Sequence, residues 1–193
     1  MSSDKPGKSI IVSAPSGAGK TTLVKHLLKS RKDLSFSVSA TNRPIRKNEK
    51  DGKDYQFLST SEFKNKIKND ELLEWEEVYE GRFYGTLHSE VQRIWDSQKH
   101  VVFDVDVIGG IHLKKKLKRN AIAIFVSPGD ISVLEKRLIA RGTDSESDVE
   151  ARLKKAAKEM KKAAKFDVII LNDDLEKAKK EIVELVENFI SND

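Results

Sequence analysis

The stretch "SIIVSAPSGAGKTT", residues 9–22, decides the fold of this chain. Its first part, residues 9–12, is a short run rich in β-branched residues, which predicts a buried parallel strand. Beyond its last part, Leu23, Leu27 and Leu28 have the spacing of a helix. A glycine-rich turn that ends in Gly-Lys-Thr joins the two elements. A strand, such a turn and a helix in this order are typical of a loop that binds the phosphates of a nucleoside triphosphate.

The turn suits phosphate for several physical reasons. Its backbone N–H groups point at one place, and the N-terminus of the following helix adds partial positive charge there. Gly17 and Gly19 let the backbone approach the phosphates closely. Lys20 would reach the β- and γ-phosphates, and the Thr21 hydroxyl would coordinate Mg²⁺. The predicted triphosphate-binding residues are therefore Ser16, Gly17, Ala18, Gly19, Lys20, Thr21 and Thr22.

The first position of the loop pattern is normally glycine, but here it is Ala14. Alanine can serve if the backbone there has a negative φ angle and no ligand needs the space that its Cβ fills. We therefore expect Ala14 to have ordinary backbone geometry.

The composition excludes several classes of protein. The chain has 193 residues, of which 38% are hydrophobic and 35% charged, and no stretch approaches the roughly 18 apolar residues of a membrane-spanning helix. It contains no cysteine, which excludes disulfides, thiolate metal sites and cysteine nucleophiles. No long apolar segment follows the first residues, so we expect no signal peptide and a cytoplasmic protein. The net charge of +5 fits either a nucleic-acid surface or solvated helix faces, and the apolar spacing within the lysine-rich runs 113–119 and 152–165 favours solvated faces.

Alternating strands and helices predict an α/β fold with a parallel sheet that is covered on both faces. Further strand patterns occupy residues 100–106, 121–127 and 166–171, and helical patterns occupy residues 87–98, 111–118, 131–141, 149–164 and 175–190. Two polar segments interrupt the alternation. Residues 40–86 contain strand patterns at 55–59 and 72–79 and a capping box formed by Ser59 and Glu62, so they predict a small inserted subdomain. Residues 141–152 predict a mobile lid.

Several short motifs carry a resemblance to a known family. They are "FSVSATNRPIRKNEKDGKDYQF" (36–57), "ELLEW" (71–75), "YGT" (84–86), "DVD" (104–106), "RLIARGTDS" (137–145) and "NDDL" (172–175). In this order they resemble the guanylate kinase family, over roughly residues 8–190. The resemblance implies a P-loop NTPase fold with a parallel-sheet core (1–39, 87–136 and 153–193), a GMP-binding subdomain (40–86) and a lid region (137–152). It also implies phosphoryl transfer from ATP to GMP with Mg²⁺, by a monomer or homodimer without nucleic-acid or membrane partners.

The resemblance implies a GMP site in and around the inserted subdomain. Arg43 and Arg46 match family arginines that bind the GMP phosphate, a task that suits bidentate guanidinium groups. Tyr55 and Tyr84 match family tyrosines whose hydroxyls bind the same phosphate. Glu74 matches the glutamate that accepts hydrogen bonds from N1–H and N2–H₂ of guanine. The other residues matched near the base are Ser39, Thr86 and Asp106.

The remaining matched residues surround the transferred phosphoryl group. Family cations stabilise the charge that builds up in the transition state, and the matching catalytic residues are Lys20, Arg43, Arg137, Arg141 and Arg152. Asp104 matches a strand-end aspartate near the water shell of Mg²⁺, and Asn172 matches an asparagine near the adenine of ATP. No general base is predicted, because the attacking phosphate oxygen of GMP is already ionised.

Some residues depart from the family pattern or receive no role. The proline of the arginine turn is Pro44, one place earlier than in the common R-x-P-R pattern, which changes the backbone around Arg43. Ile108 stands where the family often has glutamine. Glu76 and Glu77 are interpreted as exposed strand carboxylates, and the four scattered histidines receive no role.

Three other functions stay open from the sequence. A protein-interaction module of similar fold would typically lack a working phosphate loop. The residues that together argue for an enzyme are Lys20, Thr21, Arg137 and Arg141. A kinase that acts on another base is disfavoured by Glu74 and Ser39. Nucleic-acid binding is the weakest alternative.

Overall fold

A computed structural model describes residues 6–141 and 146–192, apart from the side chains of residues 141 and 146–148. Its strands are β1 (Ser9–Ser13), β2 (Leu34–Phe36), β3 (Ala40–Thr41), β4 (Gln56–Phe57), β5 (Leu72–Tyr79), β6 (Arg82–Leu87), β7 (His100–Val105), β8 (Ala121–Ser127) and β9 (Val168–Leu171). Its helices are α1 (Lys20–Ser30), α2 (Thr60–Lys68), α3 (His88–Asp96), α4 (Val107–Leu117), α5 (Ile131–Arg141), α6 (Glu146–Met160) and α7 (Leu175–Ser191). Within these described ranges, no helix is long and apolar enough to cross a membrane.

The central sheet has five parallel strands in the order β2-β7-β1-β8-β9. The middle strand, β1, is buried along its whole length. Because successive side chains of a strand point to opposite faces, Ile10 and Val12 pack in one core cluster with residues of α1 and α7. Ile11 packs in a second cluster with residues of α3 and α4. The prediction of a parallel sheet covered on both faces is therefore confirmed.

A second sheet is built from residues 40–87, which lie between β2 and β7 in the chain. Its order is β4-β3-β6-β5, and β6 runs antiparallel to both β3 and β5. Phe63 of α2 stacks on Phe83 of β6 with 5.6 Å between ring centroids, and both side chains are buried. The predicted capping box begins α2: Ser59 accepts from the Glu62 backbone, and the Glu62 side chain accepts from the Ser59 backbone. The second sheet thus has its own small core.

Several elements differ from the sequence prediction. β2, β3 and β6 were not predicted as strands, and the predicted strand at 55–59 is reduced to the two residues of β4. Strands of two or three residues are too short to show an alternating pattern. This explains the differences at β2, β3 and β4. The helix predicted at 111–118 begins at Val107, because the Asp106 side chain accepts from the Gly109 backbone and starts α4 earlier.

The lid prediction concerns the region between α5 and α6. α5 has its predicted bounds, whereas α6 begins at Glu146 and ends at Met160, earlier than the predicted 149–164 at both ends. Residues 142–145 lie outside the described part of the chain. The division into core, subdomain and lid stays a prediction.

Candidate active site

The phosphate loop lies between the end of β1 and the start of α1. Gly17 and Gly19 both have φ angles of 92°, in the left-handed region that favours glycine. A Cβ at Gly17 would stand 2.9 Å from a methyl carbon of Leu134, and one at Gly19 would clash with the side-chain amide of Asn172. Ala14 is buried, and it is not among the non-glycine residues with positive φ in the described ranges. Ala14 therefore meets the backbone condition for alanine at this position.

Lys20, Thr21 and Asp104 form one cluster at the start of α1 and the end of β7. The Lys20 Nζ lies 2.6 Å from Asp104 Oδ1 and donates to the Val105 carbonyl, also at 2.6 Å. The Thr21 hydroxyl donates to the other oxygen of Asp104 at 3.3 Å. A hydroxyl and a carboxylate side by side are hard oxygen ligands of the kind that Mg²⁺ takes while it keeps several waters. The two residues therefore fit the predicted metal site.

A cavity of about 200 Å³ opens beside this cluster, between the two sheets. Lys20 and Asp104 line it on the side of the core sheet. The other predicted site residues that line it are Ser39, Tyr55, Glu74, Tyr84 and Asp106. The cavity thus brings together residues that are far apart in the sequence and were predicted from different motifs.

Glu74 and Thr86 form a buried pair at one end of the cavity. They stand opposite each other in the β5–β6 ladder, and the Thr86 hydroxyl donates to Glu74 Oε1 at 2.7 Å. Glu74 is only 6% exposed, and this burial raises the pKa of its carboxyl to about 7. The negative charges of Asp106 and Glu76 act in the same direction on this pKa, and the Thr86 hydrogen bond opposes them. Glu74 Oε2 faces Gly109, where an added Cβ would stand 3.0 Å away, so the absence of a side chain there gives the carboxylate its space.

Arg43 is held by a carboxylate that the sequence analysis did not single out. Its two terminal nitrogens each donate to one oxygen of Glu49 at 2.6 Å, and its guanidinium lies 4.8 Å from the ring centroid of Tyr55. This ion pair raises the pKa of Arg43 and lowers that of Glu49 to about 2. Glu49 also accepts from the backbone N–H of Arg46 at 2.9 Å, so one carboxylate organises the whole turn. A buried arginine needs an anionic partner, but no sequence pattern indicates that Arg43 is buried, so the role of Glu49 becomes visible only in the fold.

The other predicted phosphate ligands lie around this turn. The rings of Tyr55 and Tyr84 meet edge to face with 5.9 Å between centroids, and burial raises the pKa of the Tyr55 hydroxyl. Arg46 is exposed, and no side-chain hydrogen bond or ion pair of Arg46 occurs among the described residues. Arg46 can therefore turn toward a ligand without breaking a side-chain hydrogen bond or ion pair of the described residues.

Two of the three arginines predicted around the transferred group lie beside the loop. The Arg152 guanidinium donates to the Ser16 hydroxyl at 3.1 Å. Arg137 donates to the backbone carbonyl of Asn172 at 2.7 Å. The side chain of Arg141 lies outside the described residues, so its predicted role stays a prediction.

Asn172, which was predicted to lie near the adenine of ATP, packs against the phosphate loop. The residue is only 2% exposed, and its side-chain amide donates to the Ala18 carbonyl at 2.7 Å. The side chain therefore supports the phosphate loop, and its place near adenine stays a prediction. Its backbone N–H donates to the Ser127 carbonyl, which fixes its position at the end of β9.

Glu76 requires a correction, because it is not a solvent-facing carboxylate. It lines the cavity, and its Oε1 lies 2.7 Å from Nδ1 of His112 on α4. Glu77 is exposed as predicted and accepts from the Gly81 backbone at 2.7 Å. Alternation along β5 would have separated these neighbours, because Glu76 lies on the same strand face as Glu74.

Comparison with known proteins identifies the family. The family model described as "Guanylate kinase" matches residues 6–189. The chain belongs to the guanylate kinase family. A guanylate kinase of Bacteroides fragilis is 48% identical over 186 residues, which is 96% of this chain and 91% of that protein. A guanylate kinase of Porphyromonas gingivalis is 46% identical, over 95% of this chain and 98% of that protein.

The fold agrees with a solved member of the guanylate kinase family. The crystal structure of guanylate kinase from Anaplasma phagocytophilum superposes with a TM-score of 0.74 at 28% identity and covers 95% of this chain and 86% of that chain. The resemblance drawn from the motifs is therefore confirmed, as is the predicted P-loop NTPase fold.

Proposed function

We infer that this chain is a nucleoside monophosphate kinase that transfers the γ-phosphoryl group of ATP to GMP, giving ADP and GDP. The single observation that carries this inference is that Glu74 and Lys20 line one cavity. Glu74 supplies a buried carboxylate for a base, and Lys20 belongs to a loop that suits a triphosphate. Membership of the guanylate kinase family supports the same reaction.

The base is selected by matching donors to acceptors. Guanine presents N1–H and N2–H₂ donors beside the O6 acceptor. The ionised Glu74 carboxylate accepts from both nitrogens, and the Ser39 hydroxyl, which lines the same cavity, can donate to O6. The Thr86 hydroxyl donates its proton to Glu74 and so holds the carboxylate in place. Adenine has an acceptor at N1 and would leave a buried carboxylate without a donor, which is costly. Asp106 lies beside Glu74 at this end of the cavity.

The phosphate of GMP is assigned to the opposite end of the cavity. Arg43 is oriented by Glu49, and Tyr55 and Tyr84 stand next to it. Arg46 adds a second cation from the same turn. A phosphate oxygen of GMP is the nucleophile and carries its charge already, so the residues need only hold it in line with the γ-phosphorus.

The donor phosphates are assigned to the loop. Backbone N–H groups of residues 16–22 and the Lys20 ammonium bind them, and Arg137, Arg141 and Arg152 stabilise the charge of the transferred group. Asn172 holds the loop from behind. Thr21 would hold Mg²⁺ directly and Asp104 through its water shell, and when bound this ion neutralises charge on the phosphates.

The other candidate functions are less well supported. A protein-interaction module does not require the buried carboxylate and the intact loop in one cavity. Location in the cytoplasm and assembly as a monomer or homodimer remain predictions.

The test is phosphoryl transfer from ATP to a panel of GMP, AMP, UMP and dTMP, with and without Mg²⁺. We expect turnover of GMP at least about 10²-fold above that of the other three, because a buried polar group rejects a base that leaves it unpaired. Comparable turnover of AMP or of a pyrimidine nucleotide would assign the chain another acceptor, and no turnover at all would leave an interaction module.

A further inference from the structure

Glu76 lies on the cavity wall and is displaced along β5 from Glu74 toward the level of Tyr84. On β5, Glu74, Glu76 and Val78 point into the cavity, whereas Trp75 and Tyr79 are exposed on the other face. In the β5–β6 ladder, Glu74 stands opposite Thr86 and Glu76 stands opposite Tyr84. Glu76 is therefore two residues along β5, about 7 Å, from Glu74, at the level of Tyr84.

The Glu76 side chain has one engaged and one open oxygen. Oε1 lies 2.7 Å from His112 Nδ1. No hydrogen bond to Oε2 occurs among the described residues, although the side chain is only 25% exposed. His112 is half exposed on α4, so the pair holds one oxygen of a carboxylate that lines the cavity and leaves the other oxygen available as an acceptor.

Asp106, not Glu76, is the second carboxylate of the base end. A Cβ built on Gly109 would lie 3.0 Å from Glu74 Oε2 and 3.4 Å from Asp106 Oδ1. The two carboxylates therefore lie close to the same point. Asp106 also accepts from the Gly109 backbone at 2.7 Å, which keeps it there. Glu76 is thus displaced along the strand from the edge where the base is read.

We propose that Glu76, held by His112, accepts a hydrogen bond from a ribose hydroxyl of the nucleoside monophosphate and so makes the enzyme prefer ribonucleotides to deoxyribonucleotides. This inference rests on the proposed function. A nucleotide whose base lies on Glu74 and whose phosphate lies on Tyr84 and Arg43 passes its ribose at the level of Glu76. A hydroxyl is a donor of the right kind for an ionised carboxylate, and carboxylates bind ribose hydroxyls in dinucleotide sites in the same way.

The charges around Glu76 are consistent with this role. Burial raises the pKa of Glu76, and the charge of Asp106 does so too, whereas His112 and Lys162 lower it. A ribose hydroxyl that donates to the carboxylate would stabilise its ionised form further. His112 is therefore a positioning residue, and it needs no contact with the substrate.

The test compares kcat/KM for GMP, 2′-deoxy-GMP, 3′-deoxy-GMP and IMP. In the wild type, we expect GMP to exceed at least one deoxy substrate by roughly tenfold, the usual effect of one hydrogen bond to a charged group. Glu76→Gln should lower kcat/KM for GMP and for IMP by a similar factor, and it should have little effect on that deoxy substrate. His112→Gln should give part of the same loss, and the double variant should lose no more than Glu76→Gln.

The control variant is Glu77→Gln, which changes the same side chain on the opposite face of the strand and should leave all ratios unchanged. Equal use of GMP and both deoxy substrates by the wild type would overturn the proposal without any variant. A loss in Glu76→Gln that is equal for all substrates, or that disappears with IMP, would also overturn it. Failure of the wild type to phosphorylate GMP is a separate result, which would overturn the proposed function itself.

Discussion

The buried carboxyl of Glu74 makes the recognition of guanine depend on pH. Its pKa is about 7 in the protein, but it must be ionised to accept two hydrogen bonds. At pH 8 about nine-tenths of the molecules have the ionised form, and at pH 6 only about one-tenth do. Binding of GMP then requires removal of a proton, so kcat/KM for GMP should fall about tenfold from pH 8 to pH 6 through this group alone.

Glu74→Gln isolates this contribution. The amide must turn its NH₂ toward a guanine donor, which leaves a desolvated group unpaired, so at pH 8 we expect a loss of roughly 10²-fold, about 3 kcal/mol. At pH 6 the wild type has lost about tenfold already, so the ratio of wild type to variant should shrink to roughly tenfold. The assay is initial-rate kcat/KM for GMP between pH 6 and 8. Titration of the GMP phosphate affects both proteins equally and cancels in the ratio, and the KM for ATP serves as the control.

The same variant should be more stable than the wild type at high pH. A carboxyl whose pKa is raised from 4.5 to about 7 by folding carries a penalty that is absent below pH 4.5, grows between these values and is complete above pH 7. Removal of the charge should therefore stabilise the fold at pH 8 by an amount on the order of 3 kcal/mol, measured as an increase in Tm that disappears at pH 4. A kinetic ratio that is constant from pH 6 to 8, together with an unchanged Tm, would refute the interpretation of Glu74 as a desolvated base-reading carboxylate.

Three further predictions concern the phosphate sites and the motion between them. Lys20→Ala should lower kcat by about 10²-fold or more while circular dichroism shows an intact fold, because it removes the cation at the donor phosphates; near-normal kcat in the folded variant would show that this loop is not the donor site. Glu49→Gln should raise KM for GMP by roughly tenfold and leave KM for ATP unchanged, since it weakens the bidentate pair that orients Arg43; an equal effect on both substrates would indicate general destabilisation instead. Residues 40–86 and 141–152 should move toward the core when both nucleotides bind, because closure excludes water and completes the arginine cluster; crystal structures with and without the two nucleotides that superpose throughout would contradict this.

The sequence predicted best the elements that are long and strongly patterned. β8 and β5 have the predicted bounds, 121–127 and 72–79, as does α5. The start of α4 was predicted four residues late, because two glycines hide its helical pattern and the deciding signal is the Asp106 cap. β3 and β4 have two residues each and form only because β6 pairs with β3. No local pattern encodes such a contact.

The candidate site was predicted from motifs, and the contacts that the sequence analysis missed depend on the tertiary structure. Glu49 has no motif role of its own, and it becomes important only because the fold buries Arg43 against it. Glu76 was grouped with Glu77 as an exposed carboxylate, but the two side chains point to opposite faces of β5, and only that of Glu76 meets His112 of α4. Asn172 was matched to the adenine site, which stays a prediction, and its hydrogen bond to the Ala18 carbonyl was not predicted. In each case the sequence contains the residue, and the tertiary contact determines its use.

The charged groups of the site are arranged in pairs, and this affects how a nucleotide can bind. Lys20 lies 2.6 Å from Asp104, and Arg43 lies 2.6 Å from Glu49. When a phosphate binds at Lys20, the lysine therefore exchanges one anionic partner, Asp104, for another. Mg²⁺ held by Thr21, with Asp104 near its water shell, would then neutralise the carboxylate that the lysine leaves. Exchange of this kind avoids the cost of an isolated buried cation, but it also gives back much of the attraction. Glu74 differs from these groups, because its buried carboxylate has only the neutral Thr86 hydroxyl as a direct partner among the described residues. The contact between Glu74 and guanine is thus the one whose strength gains most from burial. A single substitution at Glu74 should therefore change the selection of the base more than a single substitution at Lys20 or Arg43 changes the affinity for phosphate.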